Sequence, residues 1–224
     1  MSTYVTEVVT FNLRESVTRA QLTDPSGAHI AGLEILKQQE GFQKVLWGVT
    51  IPSVGPDPHK LFWFVEWDDI ASHQKFQAQP YYQSFVNGIL VITDTTNPAG
   101  PITVTHYPLS PPLSTIYPPS TTTITTTFTS PKVEYLSAML KDDADPAKLA
   151  QDLSPLTEAV AAAGVPSTFA FAVENPRVML VLNVWRDLDQ NIAFAASESF
   201  KKAAGPLGGA SAGPPVVMHL EILG

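Results

Sequence analysis

The strongest constraint on this chain is that it repeats itself. Leu61, Trp63, Val65 and Trp67 mark an apolar strand that runs into a helix carrying His73, Phe76 and Tyr82. A weaker copy runs from Met179 through Trp185 to Asn191, Phe194 and Phe200. Trp67 and Trp185, Asp69 and Asp187, Phe76 and Phe194, and Tyr82 and Phe200 are each 118 positions apart. In a chain of 224 residues, a repeat near half the length means two copies of one unit.

Each half reads as the same six elements. Residues 4–11 are rich in β-branched and aromatic side chains and predict a strand. Asp24 and Pro25 form a helix start, Ile30, Leu33 and Leu36 give a stripe at helical spacing, and Gly41 is a stop. Strands follow at 42–51 and 60–67, separated by a loop over 52–59 with three prolines. Asp68 or Asp69 caps the next helix, which breaks near Pro80, and a fourth strand covers 101–107. The order is β-α-β-β-α-β, the ferredoxin-like split unit.

The second half repeats it. Residues 133–140 predict a strand, Asp145 and Pro146 a helix start, and Gly164 a stop. Leu149, Leu153, Leu156 and Val160 supply the stripe, and Pro155 kinks the helix or restarts it with Ser154 as cap. Strands at 165–174 and 177–185 flank a short turn at Asn175 and Pro176. Asp187 begins the second helix, a flexible loop covers 205–215, and the last strand ends near Leu223. The domains are therefore 1–107 and 133–224. The stretch 108–132 between them is rich in Pro, Ser and Thr. It is either a surface linker or, because Ile124, Thr126 and Phe128 alternate with polar residues, an edge strand.

Strand 60–67 is apolar on both alternating sets, with Phe62 and Phe64 opposite Trp63, Val65 and Trp67. Such a sheet needs a cover on each face. Helices cover one. The simplest cover for the other is the sheet of the second repeat, giving an α+β fold whose antiparallel sheets pack face to face as an intrachain pseudo-dimeric barrel. The alternative is that each half pairs with a second chain, and a further homodimer is compatible with either.

Composition narrows the function. The net charge of -8 argues against a nucleic-acid partner. There is no cysteine, which excludes disulfides, thiolate nucleophiles and Cys-ligated metals. No apolar run is long enough to span a bilayer and no signal peptide opens the sequence, so a cytoplasmic protein without a membrane partner is expected. The histidines at 29, 59, 73, 106 and 219 have no metal-ligand spacing, so no metal is expected. Neither a phosphate-binding glycine loop nor a nucleophile-elbow motif is present.

The strand ending in Trp67, followed by Ser72, His73, Phe76, Pro80 and Tyr82, resembles the dimeric α+β barrel superfamily, and within it the antibiotic-biosynthesis-monooxygenase group. The resemblance covers about 4–107 and 133–223. It implies a range of activities: cofactor-free oxygenation of polyketide-type aromatics, polyketide cyclisation, decarboxylation, haem degradation or a stress-protein role. Tandem copies are a known variation in fungal secondary metabolism. No cofactor is expected, although some members hold haem through a helix histidine.

The resemblance also supplies candidate residues. His73 matches the family's histidine after the strand-three Trp, and an imidazole titrates in the range a general base needs; the competing reading is an exposed helix histidine. Its counterpart Asn191 cannot serve as a base. Tyr82 stands where the cyclase branch has a histidine and can still donate a hydrogen bond. Asn183 and Trp185 share a strand face and match the Asn and Trp of the oxygenase branch, against the reading of a satisfied buried amide. Trp47, Trp63, Trp67, Phe76, Tyr81 and Phe85 are candidate pocket walls, against the plainer reading of core aromatics. His106 and His219 occupy equivalent fourth strands. The expected ligand is a hydrophobic aromatic small molecule. The expected protein is a tailoring enzyme or, alternatively, a non-catalytic binding or stress protein.

Overall fold

The structure, a computed structural model, describes residues 4–51, 59–117 and 130–224. The chain divides into two compact units. The first contains β1 (Val5–Asn12), α1 (Arg19–Thr23), α2 (Ala28–Leu36), β2 (Phe42–Thr50), β3 (Lys60–Trp67), α3 (Ile70–Gln77), α4 (Tyr82–Leu90) and β4 (Ile102–Tyr107). The second contains α5 (Leu113–Ile116), β5 (Lys132–Met139), α6 (Pro146–Asp152), α7 (Ser154–Ala162), β6 (Ser167–Phe171), β7 (Val178–Trp185), α8 (Leu188–Ala196), α9 (Glu198–Ala203), α10 (Gly205–Ala210) and β8 (Val216–Ile222).

The two units share one topology. In the first, the strands lie in the order β4-β1-β3-β2; in the second, β8-β5-β7-β6. The registers superimpose as well. Val5 faces Trp67 and Lys132 faces Trp185. Glu7 and Glu134 therefore occupy the same strand position, as do Phe11 and Ala138, and Trp63 and Val181.

Local chemistry explains most boundaries. Asp69 and Asp187, the repeat-related pair, cap α3 and α8 with side-chain acceptors for Ala71 N–H and Gln190 N–H. Asp145 caps α6 with Pro146 at its first turn. Gly41 adopts a φ of 81°, and a Cβ there would collide with the side chains of Ser72 and Asp68. The helix expected to break near Pro80 does so between α3 and α4, and the one containing Pro155 restarts as α7.

Three expectations fail for identifiable reasons. Asp24 does not start a helix. The helix carrying Ile30, Leu33 and Leu36 starts at Gly27 without a side-chain cap; Asp24 instead ends the short α1, which Thr18 starts through a capping box with Gln21, and turns its carboxylate onto Ser26. The stretch 205–215 is not all loop, because α10 forms with Pro206 in its first turn and Leu207 buried. The proposed cap Ser154 instead donates its hydroxyl to Glu158, one turn on, and Leu153 takes the cap position without a side-chain bond. The candidate edge strand at Ile124, Thr126 and Phe128 lies outside the described residues.

The first core is built on aromatics. Phe11, Trp47, Trp63, Trp67 and Phe76 are buried together under α2, α3 and α4, and Phe62 and Phe64 on the opposite face of β3 are fully buried. The second core is lighter, with Ala138, Leu140, Leu149, Leu153, Met179 and Leu207 in one cluster and Val160, Val165 and Trp185 in another.

Candidate functional site

Both repeats carry the same polar kernel on the helix-facing side of the sheet. In the first, Glu7 on β1 accepts a hydrogen bond from Trp67 Nε1 at 2.8 Å. His73 on α3 lies with Nε2 3.4 Å from the same carboxylate. Its Nδ1 and the Nε2 of His106, on β4, share a hydrogen bond of 2.7 Å. All four residues are buried. His73 is thus an interior residue, stacked on Trp67 with ring centroids 5.3 Å apart, rather than an exposed helix histidine.

In the second repeat, Glu134 on β5 takes the place of Glu7 and Trp185 that of Trp67. The Glu134 carboxylate accepts from Trp185 Nε1 at 3.0 Å, Asn183 Nδ2 at 2.7 Å and Asn191 Nδ2 at 3.1 Å. Asn191 Oδ1 lies 3.0 Å from His219 Nε2, and Ser167 Oγ donates to Asn183 Oδ1 at 2.6 Å. Asn183, Trp185 and Asn191 therefore belong to one network, which His219 joins from β8. Burial holds the His219 imidazole below its ordinary value, against the nearby Glu134, which raises it.

What differs is the space beside the kernel. Between sheet and helices the second repeat encloses a cavity of about 570 Å³. Asn183, Trp185, Asn191, His219 and Glu134 line its polar end, and Leu153, Val181 and Phe194 are among its apolar walls. The matching space in the first repeat is about 40 Å³, bounded by Trp63, His73, Phe76, Tyr82 and Phe85. Three aromatic side chains that border the small space, Phe11, Trp63 and Phe85, have smaller counterparts in the second repeat. Phe11 becomes Ala138 and Trp63 becomes Val181, by register, and Phe85 becomes Ala203 at the repeat spacing.

The other first-repeat candidates do not border that space. Trp47 packs edge-on against His29 at 4.3 Å, Trp67 and His106 are taken up by the kernel, and Tyr81 is exposed and donates to Gln39. Tyr82, which does border it, is half-buried beside Phe76, and burial raises its phenol above the ordinary value, so it stays protonated near neutrality and can donate a hydrogen bond. Glu7 and Glu134 are the residues that sequence reasoning missed. Their signal was the one acid of each first strand, at the third position in both halves.

Among the described residues Glu7, His73 and His106 bring one ligand atom each within 4.8 Å of one another. Their contacts are those of a hydrogen-bonded chain with His73 in the middle, each of its ring nitrogens facing a different neighbour. Haem needs an axial ligand facing a large cavity. The helix histidines described, His29 and His73, both lie in the closed repeat. His29 donates to Leu22 O and accepts from Trp63 Nε1. The open cavity has its histidine on a strand. The helix histidines that the resemblance implies for haem therefore do not face the large cavity.

No protein-family model matches this sequence, and no curated protein does. Solved structures do match. A crystal structure described as an anthrone oxidase-like protein aligns over 100% of this chain and 94% of its own, with a TM-score of 0.65 at 12% identity. The fold is the dimeric α+β barrel, with both repeats in one chain. A candidate monooxygenase from Lactobacillus acidophilus aligns over 98% of this chain and 93% of its own, at a TM-score of 0.59 and 12% identity. A chlorite dismutase from Candidatus Nitrospira defluvii aligns over 98% and 92%, at 0.52 and 10%. Identities this low establish the barrel fold alone.

Proposed function

We propose that the second repeat holds a hydrophobic aromatic or polyketide-like small molecule and that the protein is a tailoring enzyme of monooxygenase type. The observation that carries this reading is an apolar cavity of about 570 Å³ with one connected polar network at its end. That volume falls in the usual range for small-molecule sites, roughly 300–1,000 Å³. Apolar walls suit a flat, poorly soluble ring system. The polar end suits the edge of that ring system that carries its carbonyl or hydroxyl groups.

The chemistry follows from such a substrate. A methylene between aryl rings and opposite a ketone, as in an anthrone, is acidic. Removing its proton yields a delocalised anion that reacts with dioxygen without a redox cofactor. The net change is a CH₂ group and O₂ going to a carbonyl and water. Cyclisation or decarboxylation would use the same cavity and the same proton transfer. The names of the structural neighbours, anthrone oxidase-like and monooxygenase, support oxygenation among these.

Oxygen uptake with 1,8-dihydroxyanthrone tests the proposal. Saturable uptake above the buffer rate, with one quinone formed per O₂, is the expected result. The second reading, a non-catalytic carrier, draws on the Glu134 carboxylate already accepting three internal N–H groups. It predicts saturable binding of the same compound with no uptake above background.

A further inference from the structure

We propose that His219 is the group that removes the substrate proton, with Asn191 as the positioning residue that fixes its tautomer; this rests on the cavity being a substrate site. His219 lies on β8 directly opposite Glu134 on β5, lines the cavity and is 9% exposed.

The orientation of Asn191 follows from its neighbours. A carboxylate offers acceptors, so the side of Asn191 facing Glu134 Oε1, 3.1 Å away, must be its NH₂ group. Its carbonyl oxygen then faces His219 Nε2 at 3.0 Å and accepts from it. In the neutral ring Nε2 therefore carries the hydrogen and Nδ1 carries the basic lone pair. Glu134 is itself held by Asn183 and Trp185 on its other oxygen, so the chain Glu134–Asn191–His219 has one polarity from end to end. The first repeat cannot impose this. His73 stands in the place of Asn191, and an imidazole can donate or accept at either nitrogen.

The step balances simply. The acidic C–H bond of the substrate breaks, its electron pair delocalises into the aryl ketone as an enolate, and the proton passes to His219 Nδ1. Burial keeps the imidazole neutral near pH 7 and able to accept it.

Deuterium exchange at the methylene of 1,8-dihydroxyanthrone, followed by NMR in D₂O without oxygen, isolates this step. The wild-type protein should bind the probe and accelerate exchange over buffer. His219→Gln should bind within about threefold and lose about 100-fold or more of that acceleration, the usual worth of a general base. Added imidazole should restore part of the rate in His219→Ala, a rescue that a misfolded variant would not show. Asn191→Leu should lower the exchange rate while leaving the binding constant nearly unchanged. Probe binding with equal exchange in the wild type and His219→Gln, or with no acceleration by the wild type, overturns the base assignment alone. Failure of the wild type to bind the probe overturns the substrate site and the assignment with it.

Discussion

The two repeats share a scaffold and a kernel yet differ in what fills the space between sheet and helices. In the first, Trp63 reaches from β3 to donate to His29 on α2 at 2.9 Å, and Phe11 packs edge-on against Trp63 at 4.7 Å. The side chains leave about 40 Å³. In the second, the same positions carry Val181 and Ala138, and about 570 Å³ stays open. An open apolar cavity forfeits dispersion contacts and destabilises a core. One copy is filled by its own side chains and the other is hollow.

The comparison can be broken from either side, and the largest effect should come from closing the open repeat. Ala138→Phe together with Val181→Trp copies the first repeat into the second. Binding of 1,8-dihydroxyanthrone by titration calorimetry should fall at least about 100-fold, since a filled pocket has no concave surface left to offer. Retained affinity would place the ligand elsewhere.

The converse change is Trp63→Val in the first repeat. It removes a fully buried ring and leaves His29 without its indole donor. Urea unfolding should show a loss of about 3–5 kcal/mol, in the range for a large-to-small substitution in a packed core. A loss below about 1 kcal/mol would mean that the first repeat is as loosely packed as the second.

The shared kernel gives a smaller contrast. Glu134→Ala strands the N–H groups of Asn183, Trp185 and Asn191, each costing about 1–3 kcal/mol if left unsatisfied. Water entering the large cavity can satisfy some of them, so the measured loss should lie toward the low end of that sum. Glu7→Ala strands fewer donors, but in a space too tight to hydrate freely. Per lost bond, Glu7→Ala should therefore be the more costly of the two in thermal unfolding.

The smallest effect expected is a pH dependence. Burial lowers the pKa of His29 and of His219 from the ordinary 6.5. The unfolded chain then takes up protons at a higher pH than the folded one, so stability falls as pH drops below about 6.5 and levels off once the folded histidines also titrate. His29→Gln should flatten the unfolding midpoint between pH 7 and 5. Equal slopes for variant and wild type would show that His29 does not contribute.

Much of the fold was legible because its signals are local. Asp69 and Asp187 cap equivalent helices, Gly41 and Gly164 both take positive φ where the sequence marked stops, and the apolar alternation of β3 and β7 sets their faces. The repeat then supplied the topology. The helix start at Asp24 was misread because an Asp followed by Pro serves a turn as well as a cap: Asp24 turns its carboxylate onto Ser26, and the helix starts at Gly27. Asn183, Trp185 and His219 were legible as candidates from type and position. Their partner Glu134 was not, because a lone acid in a strand has no meaning until the register sets it beside two strand neighbours and a helix.

By itself, then, the sequence determined the element order, the twofold repeat and the caps, all governed by contacts within a few residues or by plain periodicity. Tertiary structure decided which repeat is hollow. Ala138, Val181 and Ala203 stand where the first repeat has Phe11, Trp63 and Phe85, and small side chains carry no motif. It also joined Glu134, Asn183, Asn191 and His219, which are far apart in the chain, because hydrogen bonds between them exist only once strand pairing and helix packing bring their polar atoms within 3 Å or so.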